Sequence, residues 1–282
     1  TLPILNIPSG GRGEAMGNAY SSMGEDGLSL EWNPALSTSI AETGLSVYHN
    51  NWIADSKVET ITYTTREDFW GTGIGGKWLY TEFTQYNDVG ARLASSYYME
   101  GMAWLNGSMR LFPGYYSWGL ALGANLKGAF RISPNWADAT GQIIANSGAS
   151  QSGIMGMADI GLGTKLNVLK FYRAQDYNTA FSLVLKNLGP ALYGDPLPTN
   201  ITAGLAWRPI RPLLIAFDFI QPINIFDIQT SEKPQFSLGL SGQLSSFLAI
   251  RTGVFIRPAQ FRISMGATIS FQKADLDLSY SL

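Results

Sequence analysis

Phe261–Phe271, FRISMGATISF, places Phe261, Ile263, Met265, Ala267, Ile269 and Phe271 on one parity and Arg262, Ser264, Gly266, Thr268 and Ser270 on the other. Successive strand side chains point to opposite faces, so a period of two kept over the whole stretch predicts a strand with one apolar and one mixed face. Asp275–Leu282 repeats the pattern, with Leu276, Leu278, Tyr280 and Leu282 opposite Asp275, Asp277, Ser279 and Ser281.

Working back from there, the same alternation recurs at 247–256, 235–240, 213–220, 200–207, 179–188, 154–168, 116–131, 97–112 and 70–80, and more weakly at 57–65 and 43–50. A soluble antiparallel sheet also alternates. Three features point instead to a membrane. Many segments reach the ~9–11 residues that a tilted strand needs to cross a bilayer. One face is almost purely large and apolar, while the other mixes Gly, Ser, Thr, Asn and single charges. Aromatic residues gather near segment ends (Trp70, Tyr80, Trp118, Phe130, Trp207, Phe219, Tyr280), as in interfacial girdles.

Backbone polar groups at membrane depth must all be paired, so such a sheet has to close on itself. The expected fold is an all-β transmembrane antiparallel barrel, its partner the lipid bilayer. Lys127, Asp159, Lys165, Lys186, Asp218, Arg251 and Arg262 all fall on the inner parity. Thirteen segments are visible, and a closed antiparallel barrel needs an even number, so about fourteen strands are expected. Short links near 66–69, 113–115, 171–176, 209–212 and 244–245 alternate with longer ones near 82–93, 132–152, 189–199 and 222–234.

Composition agrees. Charged residues make up 14% of the 282, and the net charge is −2, which gives no basic surface for nucleic acid. There is no cysteine and a single histidine, His49, so zinc-site spacing is absent. No apolar run is long enough for a transmembrane helix. A start at Thr1 reads as a mature exported chain whose signal peptide has been removed.

Gly10–Ala35, GGRGEAMGNAYSSMGEDGLSLEWNPA, is different. It has no period of two, is rich in small residues, and carries an acidic pair at Glu25 and Asp26. Residues 15–20 suit a short helix, and Asn33-Pro34 suits the start of another. The expected organisation is an N-terminal hatch over residues 1–41 that plugs a barrel formed by residues 42–282. Small residues let plug backbone lie close to the wall, and Asn and Asp pair backbone groups that would otherwise be buried unsatisfied.

The quoted stretch resembles the N-terminal signature of the FadL-like outer-membrane proteins, which include long-chain fatty acid and toluene transporters and PorV-type relatives. The matching residues are Gly13, Ala15, Met16, Gly17, Ala19, Tyr20, Glu25, Asp26 and Asn33-Pro34-Ala35. Residues 186–190, 197–199 and 248–253 resemble the PorV-type and spirochaetal branch. The family commonly has Asp where Glu25 stands. The resemblance implies a bacterial outer-membrane location, a hatch inside a fourteen-stranded barrel, and passive uptake of a hydrophobic small molecule (a fatty acid, detergent or lipid) with exit through a lateral opening. It also implies an alternative, a PorV-like shuttle that docks secreted or surface proteins. Inward Leu79, Tyr98, Met102 and Trp104 are apolar enough to hold a greasy ligand; equally, they could pack against the hatch.

Other signals are weaker. Gly11-x-Gly13-x-x-x-Gly17 lacks the spacing and βαβ context of a dinucleotide fingerprint. His49 would have to serve any Ser-His hydrolase, and its place in a weak strand suits polar surface better. Asp275 and Asp277 share a face that could take a cation, although a solvated lumen suits them better, and Asp138 is an exposed loop carboxylate with no second acid close by in sequence. No cofactor and no enzymatic activity are expected.

Overall fold

The computed structural model describes residues 2–282 except 42, 54, 88, 116, 139, 141, 175, 193 and 259. The chain is an all-β transmembrane barrel. Its strands are β1 (Gly44–Asn51), β2 (Lys57–Glu67), β3 (Trp70–Tyr86), β4 (Arg92–Leu111), β5 (Ser117–Ile132), β6 (Gly153–Leu166), β7 (Thr179–Leu188), β8 (Asn200–Ile210), β9 (Leu213–Pro222), β10 (Gln235–Ser245), β11 (Leu248–Arg257), β12 (Gln260–Ser270) and β13 (Asp275–Ser281). Each pairs antiparallel with its sequence neighbour, in the order β1 to β13. Among the described residues there are thus thirteen strands, one from the expected count. With an odd number, β1 and β13 run in the same direction and form the two edges.

Side-chain parity follows the sequence pattern. Leu238, Leu240, Ile250, Ile263, Met265 and Leu278 are exposed on the outer face, where lipid rather than water makes such exposure favourable. Lys127, Asp159, Asp218 and Arg251 are buried on the inner one.

Two connections differ from expectation. Residues 82–93 do not form a long loop, because β3 and β4 stay paired out to Tyr86↔Arg92. Their outer ends mix aromatic and polar residues on both parities (Glu82, Phe83, Thr84, Gln85 and Tyr86 on β3), which hides the period of two. Conversely, β6 ends at Leu166 and the link to β7 is long. There Asn178 replaces the ladder: its Oδ1 accepts from Val168 N at 3.0 Å and its Nδ2 donates to Val168 O at 2.7 Å. Otherwise long connections (133–152, 189–199, 223–234) crowd one rim and tight turns (68–69, 211–212, 246–247) the other.

The N-terminal segment runs from the long-loop rim towards the short-turn rim. It contains a 3-10 turn at Pro3–Leu5, helix α1 (Gly11–Ala15), helix α2 (Ser29–Trp32) and a 3-10 helix at Pro34–Ser39. The helix suggested over residues 15–20 forms earlier, because Gly17 (φ +62°) and Asn18 (φ +70°) adopt left-handed conformations that end α1. The start suggested at Asn33-Pro34 is present: Asn33 Oδ1 caps the helix by accepting from Ala35 N at 2.9 Å. The period reading gave no sign of α2, which is a single turn.

Candidate functional site

The N-terminal segment seats on inward-facing glycines of the wall. At Gly253 on β11 a Cβ would lie 2.1 Å from Met16 C, and at Gly161 on β6 one would lie 2.1 Å from Asn33 Oδ1. No side chain fits at either point, which is why strands otherwise disfavouring glycine carry it here. Gly13 likewise has Trp32 against it, with a Cβ position 2.7 Å from the indole, and Ala15 lies against Gly266 of β12. Met16, Ala19, Tyr20 and Met23 form an apolar cluster with Ala206 of β8 and Ala216 of β9.

Polar groups complete the seat. Asp218 on β9 accepts from Tyr20 N (3.1 Å), Ser21 N (2.9 Å) and Ser21 Oγ (2.8 Å). Asn33 Nδ2 donates to Ser21 O and Leu162 O, both at 3.0 Å. Asn106 Nδ2 of β4 donates to Pro34 O (2.9 Å), and Asn125 Nδ2 of β5 donates to Leu30 O (2.9 Å). Ala35 is fully buried beside them. Buried amides therefore have partners at the places where the segment is not regular helix.

Charge organises two further contacts. Lys77 Nζ on β3 lies 2.8 Å from Glu31 Oε1 of α2 and donates to Ile7 O at 2.5 Å. Arg12 of α1 meets Asp277 (2.9 Å) and Asp275 (2.5 Å) on β13, with Asp26 at 3.7 Å and Glu25 at 3.8 Å. The Asp275–Asp277 pair, expected to face a solvated lumen, is instead ion-paired with the Arg12 guanidinium of the N-terminal segment. Burial opposes the charge on Arg12, but Tyr20, Asp277, Asp26 and Glu25 outweigh it and raise its pKa above the ordinary arginine value. Burial pushes the Asp26 carboxyl up to about 6, with Arg12 pulling the other way. Glu14 accepts from Tyr48 Oη on β1 (2.8 Å) and from Ser279 Oγ (2.7 Å) and Ser281 Oγ (3.1 Å) on β13, so one side chain ties both sheet edges.

Arg12, Glu14 and Glu31 were not among the residues singled out from sequence. For Arg12 and Glu14 the available signal was a charged residue set within a run of glycine and alanine; Glu31, between Leu30 and Trp32, gave none. His49 lies on the outward parity, 2.7 Å from Glu59.

Leu79, Met102 and Trp104 are buried together, and Tyr98 packs at the edge of the same cluster. The cluster is filled by the chain's own Leu2, Ile4, Leu5 and Ile7. Ile4 N donates to Glu100 Oε2 at 2.8 Å, and Tyr98 Oη donates to the other oxygen of that carboxylate. None of the four candidates borders either of two cavities on the opposite, β8–β12 side of the lumen. The larger, about 940 Å³, opens at the long-loop rim and is lined by Pro3, Trp52, Leu197, Phe261 and Arg262 among others. The smaller, about 120 Å³, reaches down to Glu31, Trp32, Lys186 and Asp218. Asn6, Ile7, Asn18, Asn200, Ile220, Gln235 and Phe255 line both. Lys186 Nζ sits 5.6 Å from the Trp32 ring centroid.

Several solved structures share this architecture. The CymD monoaromatic hydrocarbon channel superposes with a TM-score of 0.63 at 12% identity, covering 100% of this chain and 94% of that one. The Pseudomonas putida toluene transporter TodX gives 0.57 at 14%, covering 97% and 92%. A Pseudomonas aeruginosa FadL homologue gives 0.55 at 11%, covering 97% and 89%. At these identities the likeness is one of fold, and the fold is FadL-like, as the N-terminal signature implied. In sequence, a UPF0164 protein of Treponema pallidum (strain Nichols) is 24% identical over 97% of this chain and 63% of its own length. A second from that organism is 22% identical over 98% and 59%. The chain therefore spans about three fifths of the length of these relatives. The family model that matches residues 2–282 is described as uncharacterised protein family UPF0164, and the chain belongs to that family.

Proposed function

We propose that this chain is an outer-membrane channel for passive uptake of hydrophobic small molecules, with residues 1–41 as a hatch inside a barrel of residues 42–282. The observation that carries the reading is the cavity of about 940 Å³, open at the long-loop rim and continued by a narrower one that ends against the N-terminal segment at Trp32. A wide entrance closing onto a seated plug suits capture of a ligand from outside better than free diffusion of solutes. Fold-level likeness to hydrocarbon channels supports the same reading.

The apolar cluster of Leu79, Tyr98, Met102 and Trp104 belongs to this proposal. Leu2, Ile4, Leu5 and Ile7 cover it, and an apolar chain of fatty-acid type could take their place at little cost in buried area. Lateral exit through the wall is part of the same reading.

The test is uptake of limiting toluene and of a long-chain fatty acid by an outer-membrane-bearing bacterial host that lacks its own hydrophobic channels. Uptake should rise with the chain inserted in the outer membrane. An inserted chain that leaves at the host's background rate the uptake of both compounds, and of a neutral single-chain amphiphile tested alongside them, would refute the channel.

A further inference from the structure

The channel reading predicts an apolar route, yet the throat where the two cavities meet is not apolar. Four of its side chains are carboxamides: Asn6, Asn18, Asn200 and Gln235. The other three, Ile7, Ile220 and Phe255, are apolar, and no ionisable group stands among the seven. The charged residues lie elsewhere, with Glu232, Arg257 and Arg262 at the mouth and Lys186, Glu31 and Asp218 below.

Three of the throat carboxamides, Asn6, Asn18 and Gln235, have hydrogen-bonding capacity to spare; Asn200 is engaged, its Nδ2 donating to Pro198 O at 3.3 Å and its Oδ1 accepting from Thr202 Oγ1 at 3.1 Å. Asn18 Oδ1 is buried and has no hydrogen-bond partner among the described residues. Its backbone is held in the left-handed region, at φ +70°, by the turn that ends α1. Its N–H donates to Gly13 O at 3.0 Å and its C=O accepts from Tyr20 N at 3.1 Å, so the side chain is left over. A seated hatch thus fixes one orphan acceptor in the throat.

A carboxamide both donates and accepts. Its matched partner is a group that also does both, namely a hydroxyl. A hydrocarbon would strip water from these groups and return nothing, which disfavours it. A carboxylate could only accept, leaving the Asn18 oxygen without a donor. Interleaved apolar surface from Ile7, Ile220 and Phe255 suits the C–H faces of a ring whose rim carries hydroxyls.

We propose that the throat recognises a neutral polyhydroxylated headgroup, so that the ligand is an amphiphile whose apolar chain carries a sugar-like head. This rests on the channel reading and names the chemistry of what enters.

The test is equilibrium binding to the whole chain in lipid nanodiscs, with empty discs subtracted, using hexyl β-D-glucoside, hexanoate and toluene as probes. The glucoside should bind at least tenfold more tightly than either of the others. Gln235→Leu, and separately Asn6→Leu, should weaken the glucoside about tenfold and leave toluene within twofold. Both positions face the cavity and have no side-chain hydrogen bond among the described residues, so folding is not at stake; an unchanged thermal transition checks this. Toluene or hexanoate binding as well as the glucoside overturns the headgroup proposal and leaves the channel standing. Equal weakening of all three probes in the variants also overturns it. Absence of binding by all three overturns both.

Discussion

Lys77 and Glu31 form an ion pair, Nζ to Oε1 2.8 Å, between the third strand of the wall and the second helix of the N-terminal segment, and both side chains are buried. The pair joins two units that no backbone ladder connects. Removing one partner of a buried pair leaves an uncompensated charge, which costs about 3–5 kcal/mol, whereas replacing both with apolar side chains is often nearly neutral. Lys77→Met should therefore unseat the hatch, seen as faster hydrogen exchange over residues 28–33 in an inserted barrel. Lys77→Met combined with Glu31→Leu should recover much of the protection. A double variant as labile as the single one would show that the pair does not hold the hatch.

Gly253 offers a steric counterpart. A side chain there runs into Met16 C at 2.1 Å and Gly17 N at 2.2 Å, both backbone, so neither can swing aside. Valine is favoured in strands, and Gly253→Val should leave the barrel assembled while driving out the hatch. Expected results are at least tenfold faster exchange over residues 10–23 and a larger single-channel conductance. Gly128→Val, where nothing lies within 4 Å of the added carbon, should change neither.

Deletion of residues 1–36 asks whether the segment is a plug at all. The wall's ladders do not depend on it, so the barrel should still insert, with heat-modifiable mobility retained. Conductance should rise severalfold. Unchanged conductance in an inserted, truncated barrel would refute the plug.

The wall was legible in sequence because lipid imposes a period of two. The run expected at 261–271 is the strand Gln260–Ser270, shifted by one residue. Legibility failed where that constraint stops. At the outer ends of β3 and β4 the alternation fades although pairing continues to Tyr86↔Arg92. The contacts of the N-terminal segment were hidden for another reason. Arg12 meets Asp277 across 265 residues of sequence, and Glu31 meets Lys77 from a helix of four residues, so neither pairing leaves a local trace. The residues suggested for the ligand pocket have the expected chemistry, and Leu2, Ile4, Leu5 and Ile7 fill the space in front of them. An apolar inward face reads the same whether it waits for ligand or for its own terminus.

Asp26 gives the N-terminal segment a pH dependence whose sign follows from its environment. Burial pushes its folded value to about 6, from an ordinary value of 3.8. The folded state thus prefers the protonated carboxyl. Between about pH 4 and pH 6 it holds more protons than the unfolded state, so stability falls as pH rises through that window and is flat above it. The full effect is at most about 3 kcal/mol at ~1.4 kcal/mol per unit. Exchange over residues 10–36 should be slower at pH 5 than at pH 7 after correction for the intrinsic rate. Asp26→Asn should reduce that difference. An equal pH response in wild type and variant would assign it to another group.

Asn33 provides the sharpest chemical test, because its amide donates and accepts at once. Nδ2 donates to Ser21 O and Leu162 O, while Oδ1 accepts from Ala35 N. Asn33→Ala frees two carbonyls and one N–H in a fully buried site, at about 1–3 kcal/mol for each group left unsatisfied. Asn33→Asp keeps the cap on Ala35 N but turns a carboxylate oxygen towards two carbonyl oxygens. If donation into the wall is the function of this residue, Asp must be worse than Ala, although Asp is the closer match in shape and the better helix cap. Limited proteolysis of the inserted protein should cut within residues 10–36 faster in Asn33→Asp than in Asn33→Ala, and slowest in wild type. The reverse order of the two variants would mean that capping, not anchorage to Leu162, fixes the segment.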